Sequence, residues 1–433
     1  MRYMTSFLLV LCMALIGGGL MAASKPTTVI LAGNYWDGLA AQPLGSSEIL
    51  VVDGKIAEVG KKVARPEGAQ IIDLSKHFVM PGFIDCHLHL TGNSTIIANF
   101  AAMNDAALTL AGVNACETLL HNGFTTVRDA GDFSIVSWIT PVLRTAIESG
   151  AIRGPRIVSG GHMLSAVGGH FDFGGQTRNG IGIEQVSVVE GVDGLRRAVH
   201  DEVRHGVDWI KFAGSGGFMS PSDGPEDISY SQEEMNAIVA AAQGLGKPVF
   251  VHAYGDKSVR MAAQADVRSV EHGSLSSVAT LDMLAKKGIY LVPTQLAVVH
   301  NARETCQGHI NMKDPEWARA KDIKYCGALL ECAKNVGKSS VKIAFGTDLG
   351  TFDYTTNGAK EFSEMVTNGI TPLRALKAGT SMAAELLELN TGCIAPGKNA
   401  DIVAMPGNPF EDISVTEKVR FVMKNGVVYR DDH

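Results

Sequence analysis

Short apolar runs alternate with segments of helical character from Phe83 to the mid-300s. Typical intervening segments are Gln232–Gly244 and Ser276–Lys287. The apolar runs predict strands at Phe83–His89, Thr125–Asp129, Arg156–Gly160, Trp209–Ala213, Val249–Ala253, Ser269–His272, Tyr290–Pro293 and Lys342–Asp348. This succession of strand-then-helix units predicts an α/β fold, a (β/α)8 TIM barrel over 81–384, whose site would lie at the C-terminal ends of the strands.

The two flanks of this region instead show alternating apolar and polar positions, together with turn dipeptides such as Asp53-Gly54 and Asn425-Gly426. Candidate strands in the flanks are Thr27–Gly33, Glu48–Gly60, Gln70–Leu74, Asp401–Met405 and Val419–Arg430. We predict that 24–80 and 385–433 fold together into a small β-sandwich.

Length, composition and charge exclude several classes of protein. The chain has 433 residues, of which 45% are hydrophobic and 19% charged, so it can bury a large core and is neither disordered nor fibrous. The formal net charge is −7 and there is no long basic run, which argues against nucleic acid or an anionic membrane as the main partner. An enzyme acting on a small molecule fits better.

The N-terminus has the pattern of a secretory signal peptide, over 1–23. A basic start precedes an apolar stretch from Phe7 to Leu20, and small residues follow, with cleavage expected near Ala22 or Ala23. The alternative is an uncleaved membrane anchor, for which this run is short and interrupted by glycine. The expected location is therefore the periplasm or the outside of the cell, with no stable membrane span after cleavage.

If the chain is exported, its cysteines can be buried thiols or can form a disulfide. Cys86 and Cys116 fall in predicted core segments and are expected to be buried thiols. Cys306, Cys326 and Cys332 cluster in a polar segment, where an oxidising compartment permits one disulfide. We expect Cys306 to pair with Cys326 or Cys332, and sequence does not choose between them.

Several metal-ligand types stand at predicted strand ends. His87 and His89 are two residues apart on the first strand, so their side chains point to the same face. His252, His272 and Asp348 end the fifth, sixth and eighth strands. Singly, each histidine could be structural and the aspartate a helix cap. Together they predict a site for a borderline divalent cation such as zinc.

Lys211 lies in the predicted fourth strand, where an unpaired ammonium inside a barrel would be costly. One interpretation is a buried ion pair with a nearby acid. The other is that burial and nearby cations lower the pKa of Lys211, which then reacts with carbon dioxide to give a carbamate that bridges two metals.

These residues carry a family resemblance. The chain resembles the amidohydrolase superfamily, and within it the imidazolonepropionase-related group that includes Xaa-Pro and Xaa-Arg dipeptidases. The segments that carry this resemblance are Met80–Leu90, Trp209–Ala213, His252, Glu271-His272-Gly273, Gly346-Thr347-Asp348 and the C-terminal Gly392–Val403.

The resemblance implies roles for particular residues. It implies that Lys211 is an N6-carboxylysine bridging two zinc ions, that His170 of Gly168-Gly169-His170 contacts the substrate, and that Tyr230 receives the α-carboxylate of the substrate. It also implies a homo-oligomer. Imidazolonepropionase itself lacks the lysine, so Lys211 argues against that activity, and Phe171 departs from the small residue that often follows this motif.

The sequence thus predicts an exported dipeptidase with two divalent metal ions, hydrolysing the peptide bond before a C-terminal residue such as Pro, Arg or Lys. Asp348 would act as the general base and acid, and His170 would stabilise the oxyanion. The alternatives are a cyclic amide hydrolase or deaminase on the same scaffold, and a catalytically silent binding protein, against which the full ligand set argues.

Overall fold

The computed structural model of the protein describes residues 26–93, 104–174, 176–178 and 181–433. The predicted signal peptide lies outside these residues. The strands, in chain order, are β1 Thr28–Tyr35, β2 Gly45–Val52, β3 Lys55–Gly60, β4 Gln70–Pro81, β5 Phe83–Leu88, β6 Phe124–Asp129, β7 Arg156–Ser159, β8 Met163–Leu164, β9 Gln176–Arg178, β10 Ile181–Ile183, β11 Ile210–Ala213, β12 Val249–Gly255, β13 Ser269–Leu275, β14 Tyr290–Val292, β15 Lys342–Ile343, β16 Ile402–Met405, β17 Phe421–Lys424 and β18 Val427–Asp431.

The helices surround one group of these strands. In chain order they are α1 Asp105–His121, α2 Ile139–Glu148, α3 Val192–Arg204, α4 Gln232–Gly244, α5 Asp256–Gln264, α6 Val278–Lys287, α7 Gln295–Cys306, α8 Glu316–Lys338, α9 Lys360–Thr367, α10 Pro372–Ala378 and α11 Ser381–Leu386, with a short 3₁₀ helix at Ile413–Lys418. No helix within the described ranges is long and apolar enough to cross a membrane.

Parallel pairing builds the barrel from all the strands predicted for it. β5, β6 and β7 form one run, and β8, β11, β12, β13, β14 and β15 form the other. Backbone hydrogen bonds join the runs at both edges: Asp208 N–H donates to the Ser159 carbonyl at 2.9 Å, and Cys86 N–H donates to the Phe345 carbonyl at 2.8 Å. The predicted barrel is confirmed.

The two ends of the chain meet in one seven-stranded sheet, in the order β18-β17-β16-β4-β1-β2-β3. Asp53-Gly54 joins β2 to β3 and Asn425-Gly426 joins β17 to β18, and all four of these residues have positive φ angles, as tight hairpin turns require. The sheet fits the predicted sandwich. Because β4 ends at Pro81 and β5 begins at Phe83, it is directly continuous with the barrel.

Local sequence explains where helices begin and end. Ser231 and Glu234 form a reciprocal capping box at the start of α4. Ser277 caps the start of α6, and Gly288 ends it in the left-handed conformation at φ 70°. Both helices match the segments predicted from the sequence.

The hairpin formed by α7 and α8 is closed by a disulfide between Cys306 and Cys326. This confirms one of the two predicted pairings. Cys332 is a buried free thiol, as are Cys86 and Cys116. The Sγ–H of Cys332 points to the carbonyls of Gly273 and Ser276 inside the barrel wall, and not to the first helix of the hairpin.

Candidate metal and substrate site

A cavity of about 420 Å³ opens at the C-terminal ends of the barrel strands. Most of the side chains proposed from the sequence line it: His87, His89, His170, Lys211, His252, His272 and Asp348. The strand pattern explains this convergence, because parallel strands in a barrel all present their C-terminal ends on one face.

His87, His89 and Asp348 form the tightest cluster. Oδ1 of Asp348 lies 3.4 Å from Nε2 of His87 and 3.3 Å from Nε2 of His89, and all three residues are buried. Nδ1 of His87 donates to the Glu271 carboxylate at 2.7 Å, and Nδ1 of His89 donates to the Gly131 carbonyl at 2.8 Å.

These hydrogen bonds place a proton on Nδ1 of each ring. In the neutral form of His87 and His89, each Nε2 then presents a lone pair to the carboxylate of Asp348. Three acceptors facing one point repel one another unless a cation lies between them. The donor set, two imidazole nitrogens and a carboxylate oxygen, therefore fits a divalent metal such as zinc.

His252 and His272 stand beside this cluster, with ring centroids 4.7 Å apart and the His272 ring 4.9 Å from that of His87. Nε2 of His252 donates to the Gly216 carbonyl at 3.3 Å, so Nδ1 is its free nitrogen. Nδ1 of His272 lies 2.7 Å from the Thr294 hydroxyl. These contacts orient two more imidazoles as candidate ligands.

The backbone around the site is strained. His272, Thr294 and Asp348 have φ angles of 66°, 45° and 62°, a region that residues other than glycine rarely enter and that is common at functional sites. Gly350, at φ 101°, comes so close to His89 that an added Cβ would lie 2.1 Å from its carbonyl oxygen. Only glycine fits at this position.

Lys211 is 1% exposed inside the barrel. Its Nζ lies 4.7 Å from the centre of the Phe250 ring. Burial lowers the pKa of the ammonium to about 8, although the charges of Glu271 and Asp348 act in the opposite direction. This is the direction expected from the sequence, and it raises the fraction of neutral amine at neutral pH above that of an exposed lysine.

Sequence reasoning did not assign a role to Glu271 or Arg128. Burial would raise the pKa of Glu271, but Arg128 and His87 outweigh it and lower the pKa to about 2. Arg128 donates to Glu271 at 2.9 Å and to the Cys86 carbonyl at 2.7 Å. A buried arginine in a strand was the available signal, because such a charge needs a partner.

His170 lies against the ligand cluster, stacked on His252 with the ring centroids 4.0 Å apart. Burial lowers the pKa of His170 to about 3, so its ring is neutral. The Ser220 hydroxyl already donates to Asp223, so Nδ1 of His170 donates to Ser220 at 3.1 Å. Nε2 is left as an acceptor. This tautomer does not match the oxyanion-donor role expected from the sequence.

Tyr230 does not reach the cavity. It is 1% exposed in the core, and its hydroxyl donates to the Val189 carbonyl at 3.0 Å. We correct its predicted role as the carboxylate receptor on this ground. Tyr254, two residues after His252, lines the cavity instead. The alternation that placed His87 beside His89 is the signal that identifies it.

His162 lies outside the cavity lining. It is buried and its Nδ1 contacts Glu202 at 2.8 Å.

The apolar side of the cavity is aromatic. The ring of Phe133 packs edge-on against Phe171 at 4.9 Å, and Phe171 stacks on His89 at 5.9 Å. The bulky residue noted after the Gly-Gly-His motif therefore borders the ligand cluster and narrows the cavity.

Comparisons with known proteins agree with this geometry. An ochratoxinase from Aspergillus niger is 29% identical over 430 residues, covering 93% of this chain and 86% of the relative. The structure of a Xaa-Pro dipeptidase with methionine bound in its active site superposes with a TM-score of 0.84 and 32% identity, covering 93% of this chain and 100% of the other. The structure of a prolidase complexed with N-methylphosphonate-L-proline superposes with a TM-score of 0.83 and 31% identity, covering 94% of this chain and 100% of the other. The Amidohydrolase family model matches residues 78–429, and the chain belongs to that family.

Proposed function

We propose that this protein is an exported, periplasmic or secreted dipeptidase that hydrolyses the bond before a C-terminal residue such as Pro, Arg or Lys. Membership of the amidohydrolase family makes it a hydrolase of C–N bonds. The observation that carries the metal-dependent part of the proposal is the convergence of His87, His89 and Asp348, whose acceptor atoms need a cation between them.

The proposed cofactor is a pair of divalent ions, zinc by ligand chemistry. His87, His89 and Asp348 would hold one ion and His252 and His272 the other. Lys211 would take up carbon dioxide as a carbamate, releasing a proton, and so supply a bridging anion. Bound there, the metals would lower the pKa of a water molecule and polarise the scissile carbonyl.

The residues of the chain have separate tasks in this proposal. A carboxylate oxygen of Asp348 accepts the proton of the attacking water and delivers it to the leaving nitrogen. Nε2 of His170 accepts a hydrogen bond from an N–H group of the substrate, since Nδ1 is committed to Ser220. The aromatic side formed by Phe133 and Phe171 excludes water from the reacting bond.

Substrate size and cellular location have their own support. A cavity of about 420 Å³ suits a dipeptide, and two structural neighbours are described as a Xaa-Pro dipeptidase and a prolidase. The Cys306–Cys326 disulfide fits an oxidising compartment. The apolar N-terminal segment supports export as a signal peptide. A homo-oligomer remains part of the proposal and rests on the family resemblance alone.

The deciding experiment is a dipeptide library presented to the zinc-loaded protein and scored by the C-terminal residue. Cyclic amides and aminated heterocycles are tested in parallel, and a chelator-treated sample serves as the control. We expect metal-dependent release of free amino acids. Turnover confined to cyclic amides or heterocycles would replace the dipeptidase proposal, and absence of any turnover would favour a binding protein.

The carbamate is tested separately on Lys211. A ¹³C signal from ¹³C-bicarbonate incorporated into the wild-type protein should be absent from Lys211→Ala, which should also lose metal. Short carboxylic acids should partly restore metal to the Ala variant but not to Lys211→Arg, whose bulk and fixed charge stay in the cavity. Full metal content in Lys211→Ala would contradict the bridging role.

A further inference from the structure

A buried glutamate on α9 contacts the helix that begins beside His272. Glu361 is fully buried, and its carboxylate accepts hydrogen bonds from the backbone N–H groups of Gln295 at 2.9 Å and Leu296 at 2.5 Å. These are the first two residues of α7. Burial raises the pKa of Glu361 well above its usual value, although the two N–H groups act in the opposite direction. The carboxylate is therefore held at the start of α7 at a cost in desolvation.

The residue that would ordinarily cap α7 makes a different contact. Thr294 is the N-cap of this helix, and a threonine there usually accepts a hydrogen bond from an N–H group of the first turn. The Thr294 side chain makes no such bond, because its backbone is left-handed, at φ 45° and ψ 50°. Its hydroxyl lies instead 2.7 Å from Nδ1 of His272. Glu361 thus supplies the cap that the Thr294 hydroxyl does not.

Resting on the proposed metal-dependent function, we infer that Glu361 is a positioning residue for His272. By capping the first turn of α7 from α9, it leaves the Thr294 hydroxyl free to hold the His272 ring in the orientation of a metal ligand. Glu361 is not among the described residues that line the cavity, so its effect passes through Thr294. Without the carboxylate, the N–H groups of α7 need another acceptor, and the adjacent Thr294 hydroxyl is the usual one. Its rotation toward the helix releases His272.

The test is the zinc affinity of Glu361→Gln, measured by competition with a chelator. The amide places an NH₂ group where a carboxylate oxygen accepted a hydrogen bond, so one backbone N–H loses its partner. We expect the affinity to fall by about tenfold, the scale seen when the support of a metal-binding histidine is removed. Glu361→Asp keeps the charge but is one methylene shorter, and it should also bind zinc less tightly than the wild type.

Glu364→Gln is the matched control. Glu364 lies three residues further along α9 and also contacts α7, at His300 and Arg303, both at 2.9 Å. These residues come after the first turn of α7, so the variant weakens the packing of the two helices and leaves the Thr294 turn intact. It should bind zinc as tightly as the wild type.

A double-mutant cycle distinguishes positioning from a general loosening of the barrel wall. Thr294→Val keeps the β-branch but removes the hydroxyl, so it should lower zinc affinity by about tenfold, whereas Thr294→Ser should keep it. In the Thr294→Val background, Glu361→Gln should have no further effect on zinc affinity, because the hydroxyl through which it acts is gone. Equal losses in both backgrounds would show that Glu361 acts on the fold in general and would overturn the inference.

The outcomes separate this inference from the function on which it rests. If the wild-type protein binds no divalent metal, the proposed metal site fails and the positioning role fails with it. If the wild type binds zinc and Glu361→Gln binds it equally tightly, only the positioning role fails. Unfolding free energies are measured on the same samples, since the loss of a buried hydrogen bond also lowers stability. Should Glu361→Gln not fold, Glu361→Asp takes its place in the cycle.

Discussion

Nδ1 of His87 donates a hydrogen bond to the carboxylate of Glu271 at 2.7 Å, with both side chains fully enclosed in the barrel. The bond places Nε2 of His87 opposite Asp348. Glu271 is in turn held by Arg128. The geometry of the proposed metal site thus depends on a carboxylate that is not itself one of the candidate ligands.

This relationship predicts the effect of Glu271→Gln. The amide weakens the acceptor for His87 and leaves the Arg128 charge without its partner, so zinc affinity should fall by about 10- to 100-fold and the protein should lose stability. Competition titration with a zinc chelator measures the affinity. Glu385→Gln, at a half-exposed position bonded to Tyr290, is the control, and equal affinities in the two variants would contradict the prediction.

Replacement of Asp348 by Asn tests the proton transfer. The amide keeps the size of the side chain but cannot accept the proton, so kcat should fall by at least about 100-fold while the fold is retained. Metal content is measured in the same sample, because Asp348 is also a candidate ligand. Asp282→Asn, at an exposed position on α6, should behave as wild type. Near-normal kcat in Asp348→Asn at full metal loading would place the base elsewhere.

We expect replacement of Tyr254 to change substrate binding and replacement of Tyr230 to change stability. Tyr254→Phe removes a hydroxyl that faces the cavity, so KM for dipeptides should rise by roughly tenfold with little change in stability. Tyr230→Phe leaves the partly buried Val189 carbonyl without its donor and should cost about 1 kcal/mol of unfolding free energy with normal kinetics. Steady-state kinetics and denaturant unfolding on both variants settle the assignment. A KM effect in Tyr230→Phe alone would restore the role first expected from the sequence.

The Cys306–Cys326 disulfide predicts a measurable stabilisation. The two cysteines are 20 residues apart in sequence, and loop-closure entropy for such a loop gives about 3 kcal/mol. The double variant Cys306→Ser with Cys326→Ser should lose this amount in denaturant unfolding, and reductant should destabilise the wild type equally. Cys393→Ser, which removes a partly exposed free thiol, is the control. An unchanged midpoint in the double variant would mean that the bridge does not stabilise the fold.

Sequence reasoning succeeded where a local rule determines the outcome. Alternation along β5 placed His87 and His89 on one face, and the order of strands and helices placed His252, His272 and Asp348 at the same end of the barrel. The same alternation marks Tyr254 after His252. Tyr230 was assigned from resemblance alone, and no local rule says whether a loop tyrosine turns into the core or toward a cavity.

The sequence by itself determined the barrel, the pairing of the two chain ends and the main candidate ligand types, because these depend on hydrophobic period and on residue chemistry. Only the tertiary structure decided which cysteine pairs with Cys306, which nitrogen of His87 and His170 is free, and that Glu361 bonds to the first turn of α7. These features depend on contacts between segments far apart in the chain, and such contacts are fixed by packing in three dimensions.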